Sequence, residues 1–203
     1  MAQRNISKQA ITNLSEVDMS SNISKIFLFL IGFIGYVQAD QSFRKYSMEF
    51  LDVNASSTTP DICEIYFRKD FISRGVYGYT GFIDVKRDID TDSSFLEMNV
   101  YYSSNALTYT LTAFRIQSMT ITKAMNNVYK LYLKDSYDQC CTNSPQFDSF
   151  VSPMTTRYML CEKCQLSLTN YPTALRPGFY KYIIRVRDEP NITINFLVKL
   201  EWS

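Results

Sequence analysis

Four aspartates, Asp84, Asp88, Asp90 and Asp92, fall in the run Asp84-Val85-Lys86-Arg87-Asp88-Ile89-Asp90-Thr91-Asp92. Carboxylates this close together are the raw material of acid–base catalysis or of a calcium loop. A calcium loop needs a central glycine and a glutamate at its twelfth position, and the stretch Met98 to Val100 supplies neither. The two cations beside the carboxylates, and their place between two strand-like segments, make a solvated turn the simpler reading. The chain has no histidine. That removes the commonest general base, both the Ser-His-Asp and Cys-His arrangements, and the commonest metal ligand. No Gly-x-Ser-x-Gly elbow or glycine-rich phosphate loop occurs. The reading is of a non-enzyme with no cofactor and no resident metal.

The five cysteines, Cys63, Cys140, Cys141, Cys161 and Cys164, are the other reactive groups. Cys161-x-x-Cys164 has zinc or redox spacing, but without histidine a zinc site would need Cys140 or Cys141 to complete it. Disulfides are the expectation if the chain is secreted. One thiol can be left out in five ways, and the remaining four pair in three. The expected outcome joins the Cys140-Cys141 pair to the Cys161–Cys164 segment. Adjacent cysteines have Cα atoms only ~3.8 Å apart, short of ordinary disulfide spacing. Closing a loop of ~20 residues is worth about 3 kcal/mol in the chain-entropy account.

Secretion is suggested by the N-terminal region. Lys25 precedes the apolar run Ile26 to Gly35, followed by Val37-Gln38-Ala39. Charge, apolar stretch and small residue in that order make a signal peptide, and the run is short of the ~20 residues of a membrane span. Residues 1–39 are therefore expected to be an N-terminal extension plus leader, with Met19 a tidier start than Met1, and residues 40–203 a single secreted domain. Asn54-Ala55-Ser56 and Asn191-Ile192-Thr193 are sequons, so Asn54 and Asn191 are candidate glycan sites. The net charge of +1 offers no reason to expect nucleic acid or an anionic membrane surface.

Hydrophobic residues form 46% and aromatics 15% of the chain, enough for a true core. Their alternation is mostly of period two, the signature of half-buried strands. Ile192, Ile194, Phe196, Val198, Leu200 and Trp202 alternate with neighbours that are polar but for Leu197, and Tyr180, Tyr182, Ile184 and Val186 before them alternate with Lys181, Ile183, Arg185 and Arg187. Asp188-Glu189-Pro190-Asn191 supplies the turn, so residues 179–202 read as a hairpin. A second hairpin pairs Leu96, Met98, Val100 and Tyr102 with Leu107, Tyr109, Leu111 and Ala113, turning at Ser103-Ser104-Asn105. Weaker strands cover 45–53, 62–68 and 75–86. Ala124, Val128, Leu131 and Tyr132 have helical spacing and suggest one short helix within 122–135. Residues 138–160 read as a long polar loop, with Phe147, Phe150 and Val151 able to act as a lid. The expected fold is all-β, an immunoglobulin-like sandwich or a β-cup with one short helix.

The C-terminal third carries a resemblance. Val128-Tyr129-Lys130-Leu131-Tyr132-Leu133, Cys140-Cys141, Cys161-Glu162-Lys163-Cys164 and the stretch from Asn170 to Lys181 are similar to the GM2-activator branch of the MD-2-related lipid-recognition fold. More closely they resemble the insect chemosensory CheB proteins. Pro172-x-x-Leu175-x-x-Gly178-x-Tyr180-Lys181 is the most telling piece, with Pro177-Gly178 turning into a strand whose tyrosine points into the cup. The resemblance implies a cup around a lipid-sized cavity and a role in contact chemosensation or pheromone response. On that footing the chain is expected to bind a lipid or long-chain hydrocarbon. The alternative is an interaction module that presents its surface to a membrane receptor or channel. The candidate ligand wall is the inward face of the two hairpins: Leu96, Met98, Val100, Leu107, Tyr109, Leu111, Tyr182, Ile184, Ile194, Phe196 and Val198.

Overall fold

Eight strands and one helical segment make up the residues described in the computed structural model, 46–165 and 175–202. The strands are β1 (Tyr46–Ser57), β2 (Cys63–Ser73), β3 (Val76–Val85), β4 (Phe95–Ser103), β5 (Thr110–Thr120), β6 (Arg157–Cys164), β7 (Gly178–Arg187) and β8 (Ile192–Trp202). They form two antiparallel sheets, one ordered β1-β8-β7-β4-β5 and the other β2-β3-β6. The fold is an all-β sandwich, and the described residues belong to one compact unit. The expected leader, residues 1–39, lies outside the described residues. Among the described residues no helix is long and apolar enough to cross a membrane.

The C-terminal hairpin follows from its alternation. Ile192, Phe196, Val198 and Leu200 on β8, with Tyr180 and Tyr182 on β7, are buried on one face, while their odd neighbours are not. The register pairs Tyr182 with Phe196 and Ile184 with Ile194, so like faces meet across the hairpin. Against this face the three-stranded sheet packs β2 and β3 over β1. Phe50, Phe67, Tyr79 and Phe196 meet at the seam, with Tyr79 5.2 Å from Phe67 and 5.5 Å from Phe196, ring centre to ring centre. Edge-to-face pairs at such distances add stabilisation beyond their buried area.

Gly178 opens β7 because no other residue fits there. Its φ is +141°, and a Cβ would stand 2.6 Å from the Tyr102 ring and 2.8 Å from the Ser103 carbonyl oxygen. Two residues on, Tyr180 is 2% exposed and donates its hydroxyl to the Arg176 carbonyl at 2.8 Å. The tyrosine after the Pro-Gly turn does point inward, and it sits in the sealed core.

Two strand expectations and the helix change. The strand anticipated at 107–113 begins only at Thr110, and residues 104–109 form the loop. β5 is the outer strand of its sheet and is bulged. Relative to β4 it carries two extra residues between Leu111 and Arg115 and one between Ile116 and Met119. Bulges reset which side chains face inward, so alternation fails there. β6 emerges from the end of the stretch read as a loop, joined to β3 through Met159↔Ile83 and Cys161↔Gly81. The helix is longer than expected. It runs as α1 (Ile121–Ala124), a π-helical stretch (Met125–Leu133) and α2 (Lys134–Cys140).

The disulfides join Cys140 to Cys164 and Cys141 to Cys161, pinning the end of α2 to β6. Four of the five sulfurs are thereby used. Cys63 is a free thiol, 2% exposed. Burial foremost, then the nearby Asp84 charge, pushes its pKa up to about 11. In the unfolded chain the thiol ionises near its ordinary value, about 9. Above that pH the unfolded state has fewer bound protons than the folded one, so stability falls as pH rises between about 9 and 11. Native protein is expected to resist thiol reagents at pH 8 and to react at one site on unfolding. Rapid labelling of Cys63 in the native state would contradict its placement.

Candidate functional site

The five-stranded sheet is wider than the sheet facing it. β2 and β3 cover β1 and its neighbour, and the inner face toward β4 and β5 lies instead under the helical segment. A cavity of about 390 Å³ is left between the two. Its size is at the low end of the ~300–1,000 Å³ typical of small-molecule sites.

Sheet and helix contribute opposite walls. Met98 and Val100 of β4, Tyr182 and Ile184 of β7 and Phe196 of β8 form the sheet wall. Ala113, Phe114, Arg115 and Ile116 come from β5; Ile116 pairs with Met98 and Arg115 with Asn99 between the two bulges. Val128, Tyr132 and Ser136 recur every four residues along the helix and, with Leu133 and Tyr137, form the facing wall. Gln165 and Leu175 complete the lining at the end of β6 and before β7. There is a gradient of exposure. Val100, Tyr182 and Phe196 are buried at the floor, whereas Phe114, Arg115 and Tyr132 are exposed at the rim.

Five of the eleven residues expected in the wall line this cavity: Met98, Val100, Tyr182, Ile184 and Phe196. The other six do not. Val198 is fully buried between the sheets, and Ile194 packs against the same core. Leu96 packs with the group beneath the helix, around Ile121, Met125 and Tyr129. Leu107 is 83% exposed in the β4–β5 loop, Tyr109 precedes β5, and Leu111 is half exposed on it. The expectation for these last three rests on an unbroken alternation that the loop and the bulges interrupt. The helix side of the wall is illegible in the sequence for a different reason. Val128 and Tyr132 mark a helix, but helical spacing does not say whether its apolar face meets a core or a void.

The lid expected from 138–160 is also corrected. Phe147 and Phe150 pack around Ile121, Met125 and Tyr129 and are not among the lining residues of the cavity; Phe147 stacks on Tyr129. The Asn126 side chain donates to the Phe150 carbonyl at 2.9 Å and accepts from the Phe150 amide at 2.8 Å. Tyr129 donates its hydroxyl to the Pro145 carbonyl, and burial pushes its pKa up to about 12. Val151 is 73% exposed and is not among the lining residues.

No protein-family model matches the chain, and no curated protein matches it. The site therefore stands on its own chemistry.

That chemistry is apolar. Aliphatic and aromatic groups dominate the lining, and its polar members are the Tyr132, Tyr137 and Tyr182 phenols, Ser136, Gln165 and Arg115. Burial raises the Tyr137 pKa, which a hydrogen bond with Tyr79 offsets in part, so the phenol stays protonated at neutral pH. None of the four aspartates of the acidic run is among the lining residues. Asp88 accepts from the Thr156 amide at 2.9 Å, and Asp90 accepts from the Asp92 amide at 3.1 Å and from Ser152 at 3.2 Å. These bonds hold the carboxylate of Asp90 below its usual range, the Asp92 amide foremost. With the Ile89↔Met154 bridge, they tie the turn before β4 to the segment before β6. The sulfurs of Cys140, Cys141 and Cys164 lie within 4.8 Å of one another, but as disulfide sulfurs they offer no thiolate to a metal. Both sequon asparagines, Asn54 on β1 and Asn191 in the β7–β8 turn, are exposed.

Proposed function

We propose that this protein is a secreted, non-enzymatic binder that holds an apolar small molecule or lipid in the cavity between the five-stranded sheet and the helix. One observation carries the reading: the void of about 390 Å³ lies where sheet and helix fail to meet, and its floor is Val100, Tyr182, Ile184 and Phe196. Burying a ligand's apolar surface there at ~25 cal/mol per Å² gives affinity without a dense set of polar contacts. A leader at residues 1–39, the exposed sequons at Asn54 and Asn191, and two disulfides all suit an extracellular setting. The resemblance to the CheB and GM2-activator proteins agrees with this use of the cavity and adds chemosensation or pheromone response as its setting.

The experiment is native mass spectrometry of protein secreted from a eukaryotic host, followed by titration with the neutral fluorophore N-phenyl-1-naphthylamine. Bound lipid, or saturable fluorophore binding at one site, is expected. Protein that leaves the secretory pathway empty and does not bind the fluorophore would refute the reading.

A second reading, a module that presents its surface to a membrane receptor or channel, has one observation in its favour. Tyr66, Phe82 and Tyr158 form an aromatic ladder across the outer face of the β2-β3-β6 sheet, with Tyr66 and Tyr158 about half exposed. A variant unable to bind ligand that still elicits the receptor response would favour it.

A further inference from the structure

We propose that the two disulfides form a single thiol–disulfide exchange site. A small thiol of the glutathione type caps Cys140, and the displaced Cys164 moves the second bridge from Cys141–Cys161 to Cys141–Cys164. Bridges in separate parts of a fold react separately. Here they touch. Cys141 Sγ stands 3.5 Å from Cys164 Sγ and 3.8 Å from Cys140 Sγ, the two sulfurs of the other bridge. A thiolate released at Cys164 is therefore already against a disulfide sulfur, which is the encounter that exchange requires.

The convergence is specified by the fold. Residues three apart on a regular strand point to opposite faces. β6, however, carries one extra residue relative to β3 between Cys161↔Gly81 and Cys164↔Tyr79, and Lys163 within that bulge has φ +53°. Cys161 and Cys164 thus both turn inward, and both are fully buried. On the facing segment, the chain leaves α2 at Cys140 and is extended at Cys141, which lies beside Cys161 in an antiparallel bridge. The change from helix to extended chain lets both neighbouring cysteines reach β6. Of the four bonded cysteines only Cys140 is not buried, so a dissolved thiol meets that one first.

The exchange conserves the number of disulfides. The small thiolate bonds to Cys140 Sγ, the Cys140–Cys164 bond breaks, and its electron pair leaves on Cys164. The Cys164 thiolate then bonds to Cys141 Sγ, the Cys141–Cys161 bond breaks, and Cys161 leaves as a thiolate. Cys161 takes up the proton that the small thiol gave up. The old and new bridges at Cys141 span sequence separations of 20 and 23 residues, so loop closure hardly distinguishes them. Either bridge keeps α2 tied to β6.

Cys140→Ser isolates the second step, because it leaves Cys164 free beside the Cys141–Cys161 bridge with no thiol added. Trypsin cuts after Lys163, between Cys161 and Cys164, so peptide mapping after acid quenching and alkylation with N-ethylmaleimide tells the two pairings apart. Both pairings are expected, the minor one within tenfold of the major, in protein whose near-ultraviolet circular dichroism is native. Wild-type protein treated with reduced glutathione at pH 8 is the second measurement, and it decides the matter should Cys140→Ser fail to fold. Its singly capped form is expected to carry glutathione on Cys140 and to show the Cys141–Cys164 bridge with Cys161 free. Glutathione on another of the four cysteines overturns the inference. So does Cys141–Cys161 as the sole pairing, in folded Cys140→Ser or in the singly capped wild type.

Discussion

Replacing Cys141 and Cys161 together by serine is expected to cost about 3 kcal/mol of stability, and the same holds for Cys140 with Cys164, in the chain-entropy account of loops of ~20 residues. The two bridges enclose sequence separations of 20 and 24 residues, one loop nested within the other. Their effects therefore overlap, and removing both should cost less than twice the single loss. In a domain of this size, 3 kcal/mol corresponds to a fall in Tm of roughly 6–12 °C. The bridges also serve the site. Ser136 and Tyr137 of α2 line the cavity, and the disulfides tie the end of α2 to β6. Either double variant should thus hold ligand more weakly even where it stays folded. Urea denaturation of the two variants, paired with fluorophore titration, measures both effects. A stability loss below about 1 kcal/mol in each would mean that packing around Tyr129 and Phe150 anchors the segment without them.

Some of this architecture was legible in the sequence, for identifiable reasons. β4, β7 and β8 are central in their sheet and buried on one face, so selection for a core writes an alternating pattern into them. Met98, Val100, Tyr182, Ile184 and Phe196 were reached in that way. β5 is an outer strand with little of its surface buried, and its apolar residues obey no strict period. Leu107 and Leu111 look inward by spacing and are exposed in fact. β6 escaped because its pattern is short and ends in the cysteines that bond to the helix. The disulfide partners could be narrowed to two segments from the sequence, while the nested pairing depends on how α2 meets β6. The cavity itself is the least legible feature. Alternation states which side chains turn inward and says nothing of how far away the opposing layer stands.

A change of volume at the floor is the direct way to separate a cavity from a closed core. Ile184→Phe and Val100→Phe each add bulk at positions that line the void. With about 390 Å³ to receive the ring, both variants should fold with little loss of stability while binding of long-chain ligands falls tenfold or more. Ligands with shorter chains should be affected less, because the added ring takes the deep end of the site first. Val198→Phe is the contrast. Val198 also faces inward on β8, but it is fully buried where the two sheets meet and does not line the cavity. Extra atoms there must displace neighbours, and overpacking of this kind costs roughly 1–3 kcal/mol. Its effect on ligand should follow its effect on folding. The measurement is the denaturation midpoint of each variant beside its affinity for a series of saturated acids of increasing length. Should Ile184→Phe and Val100→Phe lose as much stability as Val198→Phe while the preferred chain length stays where it was, the space beneath the helix is closed by side chains in solution and the ligand wall lies elsewhere.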